Sequence, residues 1–250
     1  MPLVCPHHFL SPPTPFPLKA SLEQPGSESI EPDARARLLR FTPASFYSMA
    51  LVVDNSTLAQ AALAVHDVLE RNSLAHVFLG GFELALLGNT RGTKDIDVEV
   101  AKPFIRGFQK VREAFEADEA FLVFNGTTEE GIRAIWGRAV GVDILMRGGG
   151  RFPRSTMNLT IGPPLPFGRT QPTLPFLTPT HLLIEKVRCA GERLKVVDVI
   201  DILFIYDTLA VRNSRIDLSK VRRRLTEDEI ARARSNHPEI GRVLDAIAVA

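Results

Sequence analysis

The stretch His76 to Val100, HVFLGGFELALLGNTRGTKDIDVEV, constrains this chain more than any other. Val77-Phe78-Leu79 is a short apolar run of β-forming residues, which predicts a buried strand. Gly80-Gly81 ends it, letting the backbone turn sharply and letting a ligand come close to the main chain. Phe82 to Leu87 reads as a short helix whose free N–H groups start at the glycines, and such helix ends attract phosphate. Gly88 to Lys94 is a loop carrying Arg91, Thr93 and Lys94. Asp95 to Val100 then alternates strictly between acidic and apolar residues. Alternate residues of a strand share a face, so Asp95, Asp97 and Glu99 lie together opposite Ile96, Val98 and Val100. Acids crowded in this way repel one another. They suit either a solvated face or a hard cation, magnesium or manganese, held by carboxylate oxygens.

These residues resemble the nucleotidyltransferase superfamily that includes DNA polymerase β, the kanamycin nucleotidyltransferases and the minimal nucleotidyltransferases of toxin–antitoxin systems. The shared pattern is an apolar strand, Gly-Gly or Gly-Ser, a spacer and Asp-x-Asp. Here it is Gly80-Gly81, thirteen residues, then Asp95-Ile96-Asp97. The arrangement of Gly88, Arg91, Thr93, Asp95 and Asp97 looks like the toxin-type, abortive-infection branch.

The resemblance implies an α+β fold: a mixed β-sheet nucleotidyltransferase core flanked by helices, followed by a small C-terminal helical region. It implies transfer of a nucleoside monophosphate from a nucleoside triphosphate, ATP among the candidates, to an acceptor hydroxyl by a two-metal mechanism. Asp95 and Asp97 would bridge Mg2+ (or Mn2+) ions, and Asp143 would help hold the ion that activates the acceptor. Gly80 and Gly81 would meet the β- and γ-phosphates, with Arg91 and Lys94 as further phosphate contacts. The acceptor is open between RNA, protein and a small molecule. One departure is Phe82-Glu83, where many relatives carry small or hydroxyl residues; a carboxylate at Glu83 disfavours phosphate unless it points away. A second reading therefore stays open, a catalytically silent module of the same fold that binds a nucleotide or a protein partner.

Composition narrows the partners. The 250 residues are 45% hydrophobic and 24% charged, ordinary globular values, and the net charge of +1 gives no global field for nucleic acid or membrane. Cys5 and Cys189 make neither a metal-site spacing nor a disulfide framework, so an intracellular, cytoplasmic setting is expected. No apolar run is long enough to span a bilayer; Asp198, Asp201 and Asp207 interrupt the most apolar late stretch. Residues 1–48 hold nine of the eighteen prolines and are expected to be disordered. The expected organisation is then a nucleotidyltransferase core over 49–162, a proline-rich linker over 163–177, and a helical region over 178–250.

Asn55 or Ser56 is expected to cap a helix running to about Asn72. His66 and His76 read as ordinary surface or edge residues. A helix from Pro103 to about Ala117 is followed by strands at Ala120–Phe124, Gly131–Trp136 and Val140–Met146. The last holds a lone acid, Asp143, costly to bury unless it is paired or metal-bound. It is either the third carboxylate of the site or a strand-end acid held by backbone N–H groups. Arg147, Arg151 and Arg154 either touch phosphate or lie in a solvated loop. Thr178-Pro179 starts a helix to about Glu192, and Lys195 to Leu209 reads as another. Lys186 on the first of these either faces nucleotide phosphates, as the resemblance implies, or bridges to Asp201. Thr226 to Glu229 is a capping box. Lys220 to Arg224 is a basic helix face, solvated or turned to a polyanionic acceptor.

Overall fold

The computed structural model describes residues 54–103, 106–126, 131–137, 140–148, 152–153, 156–161, 171–212 and 216–250. The proline-rich segment 1–48, Arg151, Arg154 and residues 163–170 of the expected linker lie outside them.

Helix α1 (Asn55–Arg71) is capped one residue earlier than expected, by Asp54, whose carboxylate accepts from Ser56 and Thr57 N–H. It ends in a left-handed turn. Ser73 (φ 53°) donates its N–H to the Glu70 carbonyl, and Leu74 N–H reaches the Leu69 carbonyl. This is a Schellman closure with serine where glycine is usual. A Cβ in that conformation costs about 1 kcal/mol, so Ser73→Gly should stabilise the protein by about 0.5–1 kcal/mol. Urea unfolding should show the midpoint rising with the slope unchanged.

The reversal delivers β1 (His76–Leu79), which runs into α2 (Gly80–Leu86) and, after a loop, β2 (Asp95–Ala101). Helix α2 begins at Gly80 itself, two residues before the expected start. Helix α3 (Gly107–Glu116) starts later than Pro103, after Arg106 in the left-handed region. Strands β3 (Phe121–Asn125), β4 (Gly131–Trp136) and β5 (Val140–Arg147) form an antiparallel meander. β6 (Thr156–Thr160) and β7 (Thr173–Leu177) complete a seven-stranded sheet of order β3-β4-β5-β2-β1-β7-β6. β2 and β5 run parallel, as do β1 and β7, so the sheet is mixed and the fold is α+β.

β7 lies where a linker was expected. The density of prolines hid a short apolar alternation in which Leu174 and Phe176 are fully buried on one face. Pro175, which has no N–H for a ladder, still sits opposite Asn158 of β6.

Period-2 alternation gives the sheet two dissimilar faces. Phe78, Ile96, Val98, Val100, Val142, Ile144 and Phe176 pack with α1 and α3 in one core. Val77, Leu79 and Leu177 face the other way, into a second core built with the C-terminal helices. These are α4 (Pro179–Glu192), α5 (Val196–Phe204), α6 (Leu218–Arg224), α7 (Glu227–Asn236) and α8 (Gly241–Ala248). The helix expected over Lys195–Leu209 changes to π-helical winding at Ile205–Arg212, which its apolar spacing does not reveal. The Thr226–Glu229 capping box is formed. The basic cluster occupies α6, with Arg222, Arg223 and Arg224 in its last turn, where the helix dipole favours cations.

Candidate active site

The acidic residues of β2 point away from Ile96, Val98 and Val100, and therefore onto the face of the second core. β5 lies beside β2 in parallel register, with Asp97 opposite Asp143 and Asp95 opposite Gly141. Paired residues of neighbouring strands point the same way, with strands about 4.8 Å apart. The sheet thus brings Asp95, Asp97 and Asp143 to one patch of one face.

Each carboxylate has a different environment. Thr93 Oγ1 donates to Asp95 Oδ1 at 2.9 Å. Asp143 is gripped by Arg133, opposite it on β4, through Nε (2.8 Å) and Nη2 (3.4 Å). Burial raises the pKa of Asp143, with Arg133 opposing the shift and Asp95 adding to it. Asp97 is pushed up to about 7 by burial and by the negative charges of Asp95 and Asp143, against the pull of Lys186 and Arg193. A group in this state gains from a neutralising cation.

The glycine pair makes room for this arrangement. Gly80 is in the left-handed region (φ 81°), and a Cβ there would fall 2.0 Å from Asp97 Oδ2. A Cβ on Gly81 would fall 2.7 Å from Thr93 Oγ1 and 3.0 Å from Arg91 Nη2. The two glycines therefore let β2 and the preceding loop press their polar side chains against the start of α2.

A layer of cations stands behind the carboxylates, anchored by Asp201 of α5, which is 0% exposed. Arg91 grips Asp201 with Nε (2.6 Å) and Nη2 (2.9 Å), and Lys186 Nζ lies 2.7 Å from its Oδ2. Of the two roles weighed for Lys186, the bridge to Asp201 is formed. Arg193 is held bidentately by buried Asp198 at 2.7 and 2.8 Å. Lys94 is exposed in the loop before β2. Glu83 is fully buried, and neither carboxylate oxygen has a hydrogen-bond partner among the described residues. Burial raises its pKa well above the usual carboxylate range, with Lys186 opposing. The shift favours the uncharged acid over a carboxylate beside the glycines.

Glu99 leaves the acidic patch. Arg147 Nε binds it at 2.8 Å and also reaches Glu185 at 3.2 Å. These residues line a cavity of about 620 Å³ together with His181, Arg188 and Glu229.

Arg133 was not expected to serve the site, and Asp201 was expected only as the alternative, salt-bridge partner of Lys186. Arg133 was legible in principle: it is the polar residue between apolar Ile132 and Ala134, on the strand that hairpins onto Asp143. Asp201 and Asp198 are distant in sequence from β2, and only the packing of α5 brings them in.

The donor set of Asp95, Asp97 and Asp143 is all oxygen and anionic, which fits magnesium or manganese.

The chain is similar in fold to solved nucleotidyltransferases. One is an antigenic nucleotidyltransferase-like protein from Paracoccidioides brasiliensis (16% identity, 82% of this chain and 94% of that one, TM-score 0.44). Another is ANT(2″)-Ia in complex with adenylyl-2″-tobramycin (16% identity, 72% and 99%, TM-score 0.47). A third is the nucleotidyltransferase toxin MenT4 from Mycobacterium tuberculosis (20% identity, 79% and 72%, TM-score 0.44). No protein-family model matches the chain, and no curated protein matches it in sequence. Among the described residues, no helix is long and apolar enough to cross a membrane.

Proposed function

We propose that the chain is a nucleotidyltransferase that moves a nucleoside monophosphate from a nucleoside triphosphate to an acceptor hydroxyl. The observation that carries this reading is the gathering of Asp95, Asp97 and Asp143 on one sheet face, against a glycine that admits Asp97 to the start of α2. In the reaction, the acceptor oxygen bonds to the α-phosphorus, the bond to the bridging oxygen breaks, and pyrophosphate leaves. Asp95, Asp97 and Asp143 would hold magnesium or manganese. Such ions supply neutralisation of the triphosphate and a lowered pKa for a bound hydroxyl. Asp143, fixed by Arg133, lies on the β5 side of the patch and is assigned to the acceptor. Gly80 and Gly81 keep the triphosphate side open. Arg91 and Lys186 are oriented by Asp201 so that their remaining N–H groups serve phosphate oxygens, and Lys94 adds positive charge from the loop. In this reading the 49–162 unit carries the carboxylates, while the 178–250 helices contribute Lys186 and its anchor to the same intracellular enzyme.

A specific observation favours the second reading, a silent nucleotide-binding module: Arg91 and Lys186 are already committed to Asp201. The two readings separate in one experiment. Full-length protein is incubated with each of the four ribonucleoside triphosphates and magnesium or manganese, with RNA, protein and small-molecule acceptors, and pyrophosphate is measured. Release supports the transferase. Tight triphosphate binding with no release supports the module, and neither binding nor release overturns both.

A further inference from the structure

On the opposite face of the sheet, where α1 meets β1, three metal-ligating side chains converge. His66 and Glu70 are four residues apart on α1 and so project from one side of the helix. The Schellman turn brings His76 back against them as the first residue of β1. His66 Nδ1 lies 2.8 Å from His76 Nε2, and one ligand atom from each of the three residues lies within 4.8 Å of the others.

The tautomer of His76 is set for binding. His76 Nδ1 is 2.9 Å from the Leu74 carbonyl, which has only lone pairs to offer, so this nitrogen carries the proton and donates it. His76 Nε2 is left as a lone pair that accepts from His66 Nδ1–H, so binding an ion here moves that proton to the other nitrogen of His66 or to solvent. A backbone carbonyl that fixes the far nitrogen of an imidazole is the usual second partner of a metal-bound histidine. Two nitrogens bound to one ion, each about 2.05 Å from it and about 90–109° apart, are separated by about 2.9–3.3 Å. The observed 2.8 Å needs only a few tenths of an ångström of adjustment. Glu70 is exposed, with its Oε1 3.9 Å from His76 Nδ1, and a rotamer change can bring the carboxylate to the Nε2 side from solvent.

We propose that His66, Glu70 and His76 form a binding site for a divalent transition-metal ion of the zinc type, which clips the end of α1 to β1. The nitrogen-rich set selects zinc, cobalt or nickel over magnesium. It is separate from the aspartate patch, because His76 and Phe78 share the face opposite to Val77 and Leu79. Three protein ligands leave a position for water at the exposed rim.

The test uses full-length protein stripped with chelator and then given zinc or magnesium, without nucleotide. Zinc should bind at one equivalent above any background and raise Tm by about 5 °C or more at a hundredfold excess over Kd. Magnesium should not reproduce this shift. His66→Gln and Glu70→Gln are the informative variants, since both positions reach solvent and tolerate a polar isostere. They should lose that equivalent and most of the shift, whereas Asp97→Asn should keep both. A zinc shift undiminished in His66→Gln, or its loss in Asp97→Asn, overturns the proposal. So does the absence of any zinc-dependent shift in the wild-type protein.

Discussion

Asp97→Asn should abolish the proposed nucleotidyl transfer and, in metal-free buffer, make the protein more stable at pH 8. The amide is nearly isosteric with the carboxylate, so packing beside Gly80 is preserved. Loss of a formal charge and a strong oxygen ligand should lower the rate by about 10³-fold or more, on the order of 4 kcal/mol in the barrier. The stability change follows from linkage. Burial, with the charges of Asp95 and Asp143, pushes Asp97 in the folded protein up to about 7 from its ordinary 3.8, so the folded state binds more protons than the unfolded chain between these values. Stability is therefore present at low pH and lost as pH rises through about 7. Asparagine has no such loss. The advantage of the variant should grow between pH 5 and pH 8 and reach about 2–4 kcal/mol at the upper end. Urea unfolding in chelator at the two pH values checks this, and an advantage independent of pH contradicts the account of mutual repulsion.

Asp201→Ala should cost about 3–5 kcal/mol of stability, because it strips the shared partner from Arg91 and Lys186 and leaves their charges in a largely dry layer. The drop in Tm should be on the order of 10 °C. Asp201→Asn, which keeps the shape and one acceptor, should lose less. Combining Asp201→Ala with Lys186→Met removes one stranded charge and should restore part of the stability, a coupling that a double-mutant cycle measures. Triphosphate affinity should fall in Asp201→Ala as well, since the two cations lose the anchor that orients them. A loss below about 1 kcal/mol would mean that water already solvates the pair.

The half of the site on β2 was legible from sequence because it depends on local rules. Alternation alone placed Asp95 and Asp97 on one face, and the glycine pair marked a close approach of backbone. Asp143 was visible as a lone acid in an apolar strand. Its placement beside Asp97 rests on a parallel pairing that strand patterns do not encode. Asp198 and Asp201 reach the site only through the long-range packing of α5, whereas Arg133 had a local signature that gains meaning once β4 is paired with β5. β7 was missed for a different reason: Pro163, Pro164, Pro166 and Pro172 dominate the segment before it and mask the Leu174/Phe176 alternation. His66 and His76 looked unremarkable in sequence because neither is near the other until Ser73 reverses the chain. Glu83, a discouraging residue beside a phosphate site on paper, sits where burial favours its uncharged form, which the sequence does not reveal.

The most direct test of the central claim follows the phosphorus itself. Full-length protein is supplied with magnesium or manganese, the acceptor mixtures and triphosphates labelled at either the α- or the γ-phosphate. The account predicts α-label in the acceptor, γ-label in pyrophosphate, and neither product with Asp97→Asn. Transfer of γ-label to the acceptor, release of γ-label only as inorganic phosphate, or full α-transfer by Asp97→Asn contradicts it.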